Sequence, residues 1–105
     1  MDLKDAIINK VAEYQKDMHS NIVKNKVGKD ILEEGFLIAS GVKTITTEQM
    51  KQISKSNPKL RIAIDNAAAH IQLANAEEFA QKDDLQNAFD YLCVGCVLFG
   101  QAIYK

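Results

Sequence analysis

The chain has 105 residues, 47% of them hydrophobic and 26% charged, with a formal net charge of −1. That length supports one globular core without staples, and one proline and five glycines exclude a fibrous or low-complexity chain. Near-neutral charge excludes an overall attraction to phosphate backbones or anionic membranes.

The N-terminus, "MDLKDAIINKVAEYQK", puts charges where a signal peptide would be apolar. The longest apolar run, Tyr91 to Gly100, is ten residues, about half a membrane span. A cytoplasmic protein with no membrane partner is expected.

Leu3, Ile7, Val11, Tyr14, Met18 and Ile22 recur at helical spacing. They predict a first helix with Asp2 as N-cap and Gly28 as its stop, roughly 24 residues and 36 Å long. A second helix is predicted from Asp30 to Ser40, with Ile31, Leu32, Phe36 and Ala39 on its apolar side. Gly35 lies inside that pattern and costs about 1 kcal/mol against alanine, which implies a packing reason. Gly41 ends the helix, and "SGVKTIT" reads as a connection.

Thr46 and Gln49 have capping-box spacing, with Ile45 and Met50 placed as a hydrophobic staple, so a third helix runs to about Lys55. Asn57 and Pro58 then open a fourth, predicted over Pro58–Gln81, with Leu60, Ile64, Ala67, Ile71 and Ala74 as its stripe. Asp83 and Gln86 form a second capping-box pattern, opening a fifth helix from Asp84 to the C-terminus. The fourth and fifth helices form an αα-hairpin, with no internal repeat.

Leu85, Phe89, Leu92, Cys96, Phe99 and Ile103 make the stripe of the fifth helix, and Cys93, Val94, Val97 and Leu98 fill most of the remaining circumference. A helix apolar nearly all round is expected at the centre of its bundle, with Gly95 and Gly100 as places where another helix backbone comes close. The predicted architecture is therefore all-α, one domain over residues 1–105, with about five helices and a buried C-terminal helix.

Cys93 and Cys96 form the one apparent chemical motif, C-x-x-C. A redox pair wants an exposed thiol beside positive charge or at a helix N-terminus. Cys93 lies about nine residues inside its helix, with no Lys or Arg between Lys82 and Lys105, and no strand precedes it. Zinc would need two more ligands, and His19 and His70 are the only histidines. The pair therefore reads as inert core filler, with no cofactor and no metal implied. His70 reads as a structural histidine at the edge of a buried face, and His19 as solvated.

No phosphate loop, nucleophile elbow or H-E-x-x-H occurs, and no acid pair is followed by histidine as di-metal bundles require, so nothing argues for an enzyme. Charge supplies two surface candidates. Residues 1–61 carry 11 Lys+Arg against 8 Asp+Glu, whereas residues 62–105 carry 2 against 6. Lys51, Lys55, Lys59 and Arg61 form a basic region beside "LIASGVKTITTEQMKQIS", whose helix-turn-helix look is spoiled by Leu37 where a small residue belongs. Glu77, Glu78, Asp83, Asp84 and Asp90 cluster about the hairpin turn and would complement a cationic protein.

In size, helical make-up and lack of a catalytic motif, the chain resembles the small all-α immunity proteins of bacterial toxin–immunity systems. That resemblance implies a non-enzymatic protein that binds and neutralises a cognate toxin. Charge complementarity points to a basic, nuclease-type toxin meeting "EEFAQKDDLQNAFD". The alternatives are a small nucleic-acid-binding regulator using the Lys51–Arg61 region and a C-x-x-C thiol or metal protein. An apolar patch left uncovered would also suit a homodimer.

Overall fold

The computed structural model describes residues 2–103, with side chains through residue 100. It is an all-α bundle: α1 (Leu3–Lys24), α2 (Lys29–Ala39), α3 (Thr47–Ser56), α4 (Pro58–Gln81) and α5 (Leu85–Ile103), with no strand among the described residues. Each boundary has a local cause. Asp2 caps α1 by accepting the Asp5 N–H at 2.9 Å. The capping box of α3 is complete: Gln49 N–H donates to Thr46 Oγ1 at 3.1 Å, and Thr46 N–H donates to Gln49 Oε1 at 2.8 Å. Asn57 accepts the Leu60 N–H, and Pro58 occupies the first helical position of α4.

Two turns differ from the sequence expectation by small shifts. The stop of α1 is Lys26 (φ 55°), whose N–H bonds to the Val23 carbonyl while Val27 N–H reaches Ile22; Gly28 is instead the N-cap of α2. At the hairpin, Asp83 (φ 61°) closes α4 in the same way, with Asp84 N–H donating to Phe79 C=O at 3.0 Å. A left-handed residue cannot also take the extended cap conformation. The capping role therefore passes to Asp84, which accepts from the Asn87 N–H and side-chain amide.

The larger correction concerns which helix is central. Every other helix packs on α4, and among the described residues the one remaining helix pair whose backbones come close is α1 with α5. Two cores share this axle. Ile38, Leu60 and Ile64 form one with Ile45, Met50 and Ile53, at the α2–α3 end. Ile7, Val11, Met18, Ala69, Leu73, Ala76, Ala80, Ala88 and Phe99 form the other, between α1, α4 and α5. The α4 residues sealed most tightly are Ala63, Asn66, Ala69, Leu73, Ala76 and Ala80, whereas Ala67 and Ile71 are half-buried and Ala74 is exposed.

The α5 helix is peripheral. Its buried positions are Ala88, Gly95 and Phe99, with Leu92 half-buried between them, so its inward face is rotated from the predicted stripe. Phe89, Cys93, Val94, Cys96 and Val97 are exposed. The side chain of Ile103, predicted on the stripe, lies outside the described residues. On α2 the same rotation occurs: Gly35 and Ile38 are buried, while Phe36 is exposed.

The physical reason is backbone proximity. A Cβ added at Gly35 would lie 2.7 Å from the Ala63 carbonyl carbon and 2.9 Å from the Ile64 nitrogen. One added at Gly95 would lie 2.8 Å from Leu73 Cδ2. Both glycines sit where their helices come closest to α4, and small residues let the larger neighbours on either side interlock. Beside this contact, Arg61 Nε donates to both carboxylate oxygens of Asp65 at 3.2 and 3.0 Å, and its Nη1 reaches Ser54 Oγ, tying α3 to α4. Asp65 is buried, so that pair is a constraint on the bundle rather than a surface decoration.

Gly35→Ala is expected to cost about 1–3 kcal/mol in denaturant unfolding, because overpacking against backbone outweighs the helix propensity gained. Gly95→Ala meets a movable leucine end and should cost less. A Gly35→Ala variant more stable than the wild type would contradict the contact.

Candidate functional site

The outward half of α5 carries three large apolar side chains exposed to water, Phe89, Val94 and Val97. Its register places Ala88, Gly95 and Phe99 on α4, which turns Gln86, Asp90, Cys93 and Val97 away from the bundle. Val97 is 62% exposed, Phe89 49% and Val94 47%. Large apolar side chains so open to water, grouped on one helix with no lysine or arginine among them, form a patch of the kind that marks interaction sites. A cleft of about 370 Å³ between α1 and α5 extends it, with Leu3 and Phe89 on opposite walls and Lys10 and Glu13 at its edge.

The hold on α5 is aromatic and local. Phe79 stacks on Tyr91 at 5.4 Å between ring centroids, and Tyr14 meets Phe99 edge-on at 5.9 Å. The Tyr14 hydroxyl and Cys96 Sγ are 3.1 Å apart, a hydrogen bond that ties α1 to α5. This bond, then burial, pushes the Tyr14 phenol up from 10.0 to about 12. Lys10 Nζ lies 5.6 Å over the same ring.

The thiols are therefore not filler. Both are free and exposed, Cys93 on the outward side of α5 and Cys96 on the side toward α1, where its Sγ meets the Tyr14 hydroxyl. The sequence expectation of a sealed pair fails because bulky apolar residues were assigned to the inward face, when alanine and glycine occupy it. No group of three or more His, Cys, Asp or Glu among the described residues is arranged to hold a metal ion.

The five acids at the hairpin have distinct local duties. Glu78 pairs with Lys82 at 2.9 Å, and Asp83 pairs with Lys4 across to α1 at 3.4 Å. Asp84 caps α5, and Asp90 accepts from the Gln86 amide. Glu77 is half-buried. Exposed ion pairs of this kind contribute little to stability and remain available to a stronger cationic partner. Asp90 continues the outward face of α5 directly into the apolar residues, so charge and apolar surface are contiguous there.

The basic region is thinner than its sequence suggests. Arg61 is committed to Asp65 and Ser54, and Lys51 pairs with Glu48 at 3.6 Å. Helices α2 and α3 meet over α4 through the side chains of Ile38, Met50 and Ile53, and their backbones do not approach each other closely among the described residues. His19 and His70 are both exposed and flank one cleft, so His70 is not the packed structural residue expected.

No described helix is long and apolar enough to cross a membrane. Comparison with known protein families, curated proteins and solved structures found no match.

Because the folded value for Tyr14 lies above the free one, its hydrogen-bonded neutral form contributes fully below pH 10 and is lost as pH rises through about 12. Ultraviolet titration, with Tyr14→Phe identifying the residue, should show one tyrosine ionising near 12. Cys96→Ala should bring that value down toward 10. A titration indifferent to Cys96→Ala would contradict the bond.

Proposed function

We propose that this chain is a non-enzymatic protein-binding protein, acting in the cytoplasm as the small all-α immunity proteins do by occupying a cognate toxin. The observation that supports this most is the exposed apolar face of α5, with Asp90 and the hairpin acids at one end. Protein interfaces combine a desolvated apolar centre with a polar rim, and Phe89, Val94 and Val97 supply the first. Completing the burial of each would contribute about 1 kcal/mol. The acids Glu78, Asp83, Asp84 and Asp90 supply a rim that favours a basic partner, which suits a nuclease-type toxin.

The binding surface is thus read as a composite. The acids speed encounter by steering, and the α5 side chains slow release by burial. A regulator that binds nucleic acid would have to rely on Lys51, Lys55 and Lys59, since Arg61 is engaged elsewhere. An exposed thiol pair is compatible with the same interface, where cysteine packs as a small apolar residue.

Wild type and Val97→Asp, used as paired baits in the native host, should differ in one captured protein. That protein, purified, should bind the wild type at 1:1, and its expression alone should arrest growth that co-expression of this chain relieves. Glu78→Lys with Asp83→Lys should slow association by about ten-fold and leave dissociation little changed. Equal capture by both baits would overturn the assignment, as would a wild-type homodimer that Val97→Asp dissociates.

A further inference from the structure

We infer that the trough between α1 and α2 is a binding site for a small, uncharged, largely apolar molecule carrying one N–H or O–H donor. Helices α1 and α2 each pack on α4 but not on each other. The gap leaves a cleft of about 300 Å³ floored by α4, at the lower end of the range for small-molecule pockets. Met18 and Ile22 form one wall, and Leu32 and Phe36 the other. The floor is kept low by Ala63 and Ala67, where any larger side chain would fill the space.

Asn66 also lines the floor, and it is 2% exposed. Its amide nitrogen donates to the Ile62 carbonyl at 2.9 Å, while Oδ1 is buried with no hydrogen-bond partner. A buried acceptor left unpaired is costly, and proteins keep very few of them. It belongs to a residue lining an open apolar cleft, and although the oxygen itself is sealed from solvent, a turn of the Asn66 side chain toward the cleft would bring it to a ligand donor. The group can only accept, which specifies a donor on the ligand.

The rest of the lining specifies the remainder. Among the described residues no lysine, arginine, aspartate or glutamate borders the cleft, so none of them would neutralise a charged ligand. His19 and His70 stand at its edge as exposed polar groups. Phe36, half-exposed where the sequence pattern would bury it, presents a ring to the same space, which suits a flat aromatic body. The site is separate from the α5 surface and does not depend on the function assigned to it.

The test uses indole and 1-methylindole, alike in shape but differing in the N–H donor, titrated into the full chain and followed by amide NMR. Indole should shift the amides of Ile22, Leu32 and Ala67 saturably and bind on the order of ten-fold tighter than 1-methylindole. Asn66→Leu should erase that difference, and Ala67→Phe should remove binding of both while the thermal transition persists. Should Asn66→Leu fail to fold, the ratio measured on the wild type decides the matter. Equal affinities, shifts centred on α5, or no saturable shift up to millimolar indole would each overturn the site.

Discussion

The bundle depends on two places where a neighbouring helix backbone touches α4. At Gly35 the backbone of α2 lies against Ala63 and Ile64, and at Gly95 the backbone of α5 lies against Leu73. Each contact fixes the rotation of its helix, since only the glycine face can come so close. From that rotation the rest follows. Ile38 on α2 and Ala88 and Phe99 on α5 turn inward, and Phe36, Phe89, Cys93 and Val97 turn out. The α4 helix is consequently the one buried on several sides, and it carries both cores along its 24 residues.

Function is read from what this axle leaves uncovered. Four helices arranged about one cannot all touch one another in a chain of this length. The space between α1 and α2 becomes a cleft, and among the described residues the far side of α5 is left exposed. One is an apolar trough with a recessed acceptor, the other an apolar face with an acidic end.

Element boundaries were legible in the sequence because they are written in local chemistry. Thr46 with Gln49, Asn57 with Pro58, and Gly41 each satisfy or end a helix through atoms a few residues away. Helix rotation was not legible by the same means. Hydrophobicity patterns favour the bulky residues of a stripe, and they placed Phe89 and Cys96 inside where Ala88 and Gly95 belong. The missed signal was the run of small residues: Gly35, Ala63, Ala69, Ala76, Ala80, Ala88 and Gly95 mark the contact surface more faithfully than leucine or phenylalanine. Gly35 was recognised as needing a packing reason and Gly95 as a place of close helix approach, but the bulky stripe through Phe89 and Cys96 still set the expected rotation of α5. Arg61 was likewise counted as surface charge, because its commitment to the buried Asp65 and to Ser54 depends on how α3 docks against α4.

The orientation of α5 is tested most directly by its own two thiols. Alkylation of the native protein, resolved by mass spectrometry, should modify Cys93 and Cys96 at rates within about ten-fold of those in denaturant, because both side chains face water. Labelling of either residue that begins only once the chain is unfolded would mean that α5 is buried, and the α4-centred account would fail.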